Sequence, residues 1–463
     1  MKKYNIINNS LGWLCFIIAA ATYLLTLEPT ASFWDCPEFI AQGTKLEVGH
    51  PPGNPIWMLT ARFFVNFAGG DMSQAALMVN VMSALLSAGT ILLLFWTITH
   101  LVRRIIVKDN ATEVSLTQMI VIFGAGLCGS LAYTWSDTFW FSAVEGEVYA
   151  FSSFCTALVV WLIMKWENRA DNPISDRYLL LIAYVIGISI AVHLLNLLCI
   201  PAIGLVIYYR KFKETNVVGS LIALAISCAV MGLVLYGLVP GFVEMAQYFE
   251  LFFVNSCEMS YNTGTIIYAI ILIASFIWAM YEFRSQKSNI RMKLSFCLSI
   301  FLSGMLFIGD SLVWPLLLLA GLILYFVFTS KLPVRILNLV LISVFVIFIG
   351  YSSYALLLIR ANANPPMNQN APDNVFALAS YLNLPGSSPL RSWAAIITRP
   401  PVPSRASSSA TRSCRISSPS WVWTSCPKRT SGPSTGPVRS RDSSPSPSML
   451  PSSSPATRAS TFP

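Results

Sequence analysis

Residues 11–27 read LGWLCFIIAAATYLLTL, and residues 28–71 follow as EPTASFWDCPEFIAQGTKLEVGHPPGNPIWMLTARFFVNFAGGD. The first stretch is an apolar run, and a helix of about 17–25 such residues crosses the hydrocarbon core of a bilayer. Ahead of it, MKKYNIINNS carries Lys2 and Lys3 as its only charged side chains. A secretory leader begins in a similar way, but its apolar core is about 7–15 residues and is not followed by further spans. The run therefore reads as an uncleaved first transmembrane helix with an extended loop behind it.

The same signal repeats along the chain. Apolar runs at 75–101, 116–135, 149–165, 178–192, 194–209, 217–239, 265–283, 294–310, 312–330 and 336–359 bring the expected spans to eleven. Hydrophobic residues make up 55% of the 463 and charged residues 11%, with a mean hydropathy of +0.63. Soluble domains carry about 25% charged residues, so a water-soluble globular protein is excluded. The fold class expected is an all-α polytopic membrane protein. The fifth and sixth spans are short and nearly continuous around His193, and fusing them into one tilted helix would invert everything downstream.

Basic residues concentrate in the loops that stay on the cytoplasmic side. With eleven spans and the N-terminus inside, 17 of the 20 Lys and Arg before residue 384 fall inside, and only Lys45, Arg62 and Arg360 fall outside. Fusing the fifth and sixth spans would place Lys287 and Lys293 outside, which favours eleven. Acidic residues such as Asp35, Glu38, Glu145, Glu147, Glu244 and Glu250 fall in the outer loops, so chemistry is expected on that face.

The net charge of +9 belongs to the end of the chain. Residues 1–383 balance 20 basic against 20 acidic side chains, whereas 384–463 hold 10 basic residues and one acid, Asp442. That last segment also contains 23 Ser and 14 Pro, the composition of a disordered tail. The basic balance is thus no sign of nucleic acid. Trp393, Trp421, Trp423, Cys414 and Cys426 are foreign to such a tail, and 384–463 is read as an out-of-frame translation. The ten cysteines show no CxxC or Cys/His spacing, so neither a zinc site nor a redox motif is expected. Cys36 and Cys257 alone fall in outer loops, which leaves a disulfide between them open.

The first outer loop carries two short helix signals. Asp35 stands where an N-cap stands, with Pro37 in the first turn and Glu38 three residues on, the pattern of a capping box. After the turn at Gly49–Gly53, Ile56, Leu59, Phe63 and Phe67 recur at helical spacing over a stretch too short to span, so an interfacial helix is expected. Asp35 and Glu38 are equally suited to proton transfer. His50 is either turn filler or site; Arg62 either snorkels or binds an anion. Glu145 and Glu147 lie close to the membrane, where charge is costly. His193 is a helix-break residue or part of the site.

A first helix, an acidic motif just outside it and two interfacial helices before the second span resemble the GT-C glycosyltransferases. FWDCPEF at 33–39, GHPPGNP at 49–55, FWFSAVEGEVYAF at 139–151, the His193 region and IRANANPPMNQNAPDN at 359–374 resemble a narrower group. It is a bacterial membrane-protein family with a domain of unknown function, related to the vertebrate ER protein O-mannosyltransferase. The resemblance runs from about residue 10 to residue 383, and it implies a GT-C-like transmembrane domain over 1–383, with a soluble outer-face region normally following where the tail stands here.

What the resemblance further implies is transfer of a sugar, with mannose expected, from a polyprenyl-phosphate carrier to a protein or glycan acceptor. The reaction would take place at the outer face of the bacterial inner membrane. An inverting transfer needs one carboxylate to take the acceptor's proton, and neutralising the departing phosphate helps. Asp35 is the expected base, with Glu38 as the second catalytic candidate. His50, Arg62, Glu145, Glu147 and His193 are the expected substrate-binding residues, with Arg62 as the phosphate partner. No cofactor is called for, and a divalent metal requirement is left open. The competing class is a transporter or flippase of a lipid-linked sugar. It fits less well, because the mid-span regions are nearly free of charge and show no inverted repeat. A truncated, inactive relative is a third reading.

The eleven-span topology predicts that a single cysteine at Lys287, in a background lacking Cys257, stays unlabelled by a membrane-impermeant maleimide in intact cells. It should label after permeabilisation. Labelling from outside would overturn the topology.

Overall fold

The computed structural model describes residues 2–107, 113–307, 313–329 and 333–382. Asp310 and the segment 384–463, with the expectations attached to it, lie outside the described residues.

Every regular element among the described residues is helical. The first long helix, α1 (Lys2–Leu25), leads into the loop helices α2 (Cys36–Lys45) and α3 (Pro55–Val65) and then into α4 (Ala75–Ile106). Next come α5 (Leu116–Thr134), a short α6 (Asp137–Ala143), α7 (Val148–Glu167), α8 (Asp176–Ile190), α9 (Cys199–Lys211), α10 (Val217–Leu233) and α11 (Val239–Leu251). The chain continues through α12 (Thr263–Ser285), α13 (Asn289–Leu302), α14 (Val313–Phe328), α15 (Val334–Tyr351), α16 (Ala355–Asn362) and α17 (Val375–Tyr381). Among the described residues, nine helical stretches are long and apolar enough to cross a membrane, and the chain is an integral membrane protein. The expected spans at 294–310 and 312–330 correspond to α13 and α14, which are shorter, at 14 and 16 residues.

The fifth and sixth spans are separate helices. The chain breaks at Ala191–His193, where His193 adopts an extended backbone and its Nδ1 accepts from the Leu195 N–H at 3.2 Å. The seventh span departs from expectation. Helical structure runs from Val217 to Ser256, 40 residues, through wide π turns at Val234–Leu238 and Phe252–Ser256. At 1.5 Å per residue that is about 60 Å, twice the hydrocarbon thickness, so α11 occupies the region expected to be outer loop. There Glu250 is buried, accepting from the N–H groups of Asn262 at 2.5 Å and Thr265 at 2.8 Å, which caps the start of α12. Cys36 and Cys257 are both free thiols.

One end of the bundle gathers basic residues in ion pairs. Arg104 meets Glu167 at 2.6 Å, Arg335 meets Asp176 at 2.7 Å and 2.8 Å, and Arg210 pairs with Asp171. The opposite end carries α2, α3, the turn before α7, the break at His193 and residues 352–382.

Helices approach closely where side chains vanish, as membrane interfaces require. Around α4 pack α1, α5 and α7, and α8 lies along α15. The α8–α15 contact centres on Gly187 and Gly350, which face each other across the interface; a Cβ on Gly187 would sit 2.5 Å from the Ile347 carbonyl oxygen. Alanine is a better helix former than glycine by up to about 1 kcal/mol. Gly124→Ala, where no neighbour lies within 4 Å, should therefore leave the melting temperature unchanged or raised. Gly187→Ala should lower it, since overpacking costs about 1–3 kcal/mol. Thermal unfolding of both purified variants checks this, and equal melting would contradict the packing.

Candidate active site

The loop between α1 and α4 folds because Pro37 and Pro55 start helices, where a missing N–H is harmless, and the His50–Gly53 turn reverses the chain between them. Helix α2 buries Cys36, Phe39, Ile40 and Gln42. Helix α3 buries Trp57, Met58, Ala61 and Val65, while Leu59, Phe63 and Phe67 are exposed. The periodic apolar face read from the sequence is thus mostly the outward one, suited to lipid, and Trp57 anchors the inward one.

Asp35 occupies the N-cap position of α2 but makes no side-chain capping bond, because its own backbone is already helical (φ −84°, ψ −9°). A capping side chain needs an extended residue, so the expected capping box does not form. Glu38 instead turns to His50: its Oε1 accepts from the His50 backbone N–H at 2.5 Å and lies 2.9 Å from Nδ1. With Nδ1 turned to Glu38, Nε2 faces away from it. On that other side, Nε2 is 4.0 Å from Asp35 Oδ2, and the Asp35 side chain is 61% exposed. Asp35, His50 and Glu38 therefore form a row from solvent inward.

Glu145 and Glu147 border the row from the turn before α7. Glu147 caps that helix, accepting from the Val148 N–H at 3.3 Å. Burial pushes its carboxyl up to about 7 against the lowering bond from the Val148 N–H, with further upward pressure from Glu145 and Asp35 and a lesser opposing one from His50. Burial likewise raises the Glu145 carboxyl, against a lowering bond from Ser32. The Trp57 indole N–H donates to the Glu147 carbonyl at 3.1 Å, tying α3 to this turn.

His193 is half-buried and 5.7 Å from the Tyr149 ring, just past Glu147, and burial lowers its pKa. The Ile56 N–H donates to the Ala191 carbonyl at 3.3 Å, which brings the His193 break against the start of α3. Arg62 has a task that the sequence did not reveal. Its guanidinium donates to the Thr44 carbonyl at the C-terminal end of α2.

The sequence reading also missed how the distant segment 355–382 closes the loop. Arg360 donates to the carbonyls of Leu46 at 2.6 Å and Lys45 at 3.3 Å. Tyr381 donates to the Gly49 carbonyl at 2.6 Å, and Val48 pairs in parallel with Asn368. Gly53 (φ +85°) packs under the Tyr381 hydroxyl, where a Cβ would collide. The motifs at 49–55 and 359–374 carried a signal of this contact as a pair, without showing that they touch. Among the described residues no group of three or more His, Cys, Asp or Glu is arranged to hold a metal ion.

The fold and this loop define an all-helical integral membrane protein with a carboxylate–imidazole row at one end of its bundle. Within that class, residues 35–216 match the family model of the protein O-mannosyl-transferase TMEM260 N-terminal domain. The chain is 23% identical over 189 residues to protein O-mannosyl-transferase tmem260 of Dictyostelium discoideum, which is 40% of this chain. It is 25% identical over 207 residues, 45% of its length, to protein O-mannosyl-transferase TMEM260 of Mus musculus. These matches span only 21% and 27% of the two relatives' lengths. No solved structure matches the chain.

A carboxyl raised in the folded state above its unfolded value binds its proton more tightly when folded, so its ionisation erodes stability as pH rises through about 7. Glu147→Gln keeps an acceptor oxygen and removes the charge. It should melt close to wild type at pH 5 and higher than wild type at pH 8, a gap on the order of 1–3 kcal/mol. An unchanged gap between the two pH values would refute the buried-carboxyl assignment.

Proposed function

We propose that the protein is a GT-C-type glycosyltransferase that moves a sugar, mannose by the relatives' name, from a polyprenyl-phosphate carrier to a protein or glycan hydroxyl. The site faces the outer side of the bacterial inner membrane in this reading. The observation that carries it is the row Asp35–His50–Glu38 at one end of a membrane bundle, with an exposed carboxylate at its outer tip.

In the reaction, the acceptor oxygen bonds to the anomeric carbon as the bond from that carbon to the carrier phosphate oxygen breaks, and the acceptor proton passes to the Asp35 carboxylate. The electron pair of the broken bond leaves with the phosphate. The imidazole of His50, held by Glu38, faces Asp35 at 4.0 Å and fixes the inner side of the row. Glu38 is thereby a positioning residue. Arg62 is the candidate partner of the carrier phosphate through guanidinium N–H groups other than the one on Thr44, since arginine offers five. Glu145, Glu147 and His193 line the acceptor and sugar side, where a carboxyl near its midpoint at neutral pH can accept or donate a hydrogen bond. Phe63 and Phe67 are exposed at the far end of α3 in the same loop, which suits a substrate whose carrier stays in lipid.

Purified protein incubated with polyprenyl-phosphate [³H]mannose and an acceptor peptide should release label from the lipid phase. Asp35→Asn should melt like wild type, because the Asp35 side chain caps nothing, while turnover falls by on the order of 10²–10⁴, as removal of a general base does. Transfer by the Asn variant above about a tenth of the wild-type rate would rule Asp35 out as the base.

A further inference from the structure

At the basic end of the bundle, far from the loop site, α1, α4 and α7 enclose a cavity of about 340 Å³, the size of a small-molecule site. Its walls carry four amides, from Asn5, Asn8, Asn9 and Asn168, and two cations, Arg103 and Lys165, with no carboxylate among them. Among the described residues, Glu167 lies outside the lining and is engaged by Arg104 at 2.6 Å and His100 at 3.4 Å. The cavity is therefore a donor-rich, net-positive chamber. Two of its polar atoms, Trp96 Nε1 and Asn8 Oδ1, are buried and have no hydrogen-bond partner.

A second space lies on the other side of Trp13. Trp13 lines both the chamber and an apolar groove of about 350 Å³ between the same three helices. Phe16, Leu86, Leu93, Phe154 and Leu158 form its walls, and Phe64 of α3 lies at its rim. Trp13, Trp96 and Trp161 join the two compartments, with ring centroids 6.4 Å and 5.8 Å apart along the series. Along α4 the groove runs from Leu93 to Leu85, about 12 Å at 1.5 Å per residue, most of one leaflet of a hydrocarbon core about 30 Å thick.

We propose that the chamber and groove together bind one anionic glycerophospholipid, its phosphate in the Asn–Arg–Lys chamber and one acyl chain in the α1–α4–α7 groove. The charge selects an anionic head, since basic pockets between transmembrane helices attract such lipids. The length of the apolar groove selects a lipid over a free phosphate. Seated there, the lipid fills the wedge between α1 and the α4–α7 pair and so fixes the helix that leads into the loop site.

Purified protein, stripped of lipid in neutral detergent, should retain one phosphatidylglycerol in native mass spectrometry and little phosphatidylcholine of the same chain length. Lys165→Gln should weaken phosphatidylglycerol retention by about fivefold, and Asn8→Leu should weaken it too, with unchanged melting in the absence of lipid. A measurement on the wild type alone guards against a variant that fails to fold: phosphatidylglycerol brominated in its chains should quench more indole fluorescence than brominated phosphatidylcholine. Equal retention or equal quenching by the two lipids would overturn the proposal. So would full displacement of the lipid by millimolar inorganic phosphate, which would mark a simple anion pocket, or tighter retention of polyprenyl phosphate than of phosphatidylglycerol.

Discussion

Backbone carbonyls between Thr44 and Gly53 need donors that this turn does not itself contain, and much of the bundle's loop end is organised around supplying them. A helix ends with four carbonyls lacking partners, and here the turn after α2 adds more. Arg62 reaches Thr44, Arg360 reaches Lys45 and Leu46, the Gln369 N–H reaches Val48, Tyr381 reaches Gly49, and Gln42 reaches Gly53 at 2.7 Å. These donors come from α2, α3, α16, α17 and the segment between the last two. His50 is fixed as a by-product: with its neighbours on both sides pinned, its ring is presented to Glu38 on one edge and Asp35 on the other.

Electrostatics at this end follow from the same crowding. Packing the turn before α7 against α2 and α3 takes the carboxyls of Glu145 and Glu147 out of water, so both hold protons more tightly than usual. Asp35, by contrast, stays largely in solvent. Neighbouring carboxyls are thus held in unlike surroundings, one in solvent and one buried. The chain separates the two by placing one on a helix start that projects outward and the other on a helix start that is buried.

Most of the fold was legible in the sequence, because length and apolarity decide what crosses a bilayer and the side on which Lys287 and Lys293 must fall favours a break at His193 over fusion of two nearly continuous runs. Less legible was the extent of the seventh span, since α11 is as apolar and well packed as a membrane segment yet lies beyond one. In the site, residue identities were visible but their partnerships were not. Asp35 and Glu38 have the spacing of a capping box, and only the helical backbone at Asp35 and the proximity of His50 show that Glu38 bonds elsewhere. Arg62 reads equally as a snorkelling or anion-binding cation, and nothing local to it reveals the Thr44 carbonyl. The clamp by Arg360 and Tyr381 depends on contacts 314 and 332 residues apart, beyond the reach of any pattern within a window.

That separation has a bearing on how the protein is made. A chain inserted into the membrane from its N-terminus delivers Asp35 and His50 early, among the first parts to leave the ribosome. The hydroxyl and guanidinium that hold their loop arrive only after some three hundred further residues and every later span. Until then the turn around His50 lacks most of its donors and has no reason to hold one shape. Assembly of the carboxylate–imidazole row is thus coupled to completion of the membrane bundle, so a chain stalled partway through biogenesis would carry the residues of the row without their arrangement.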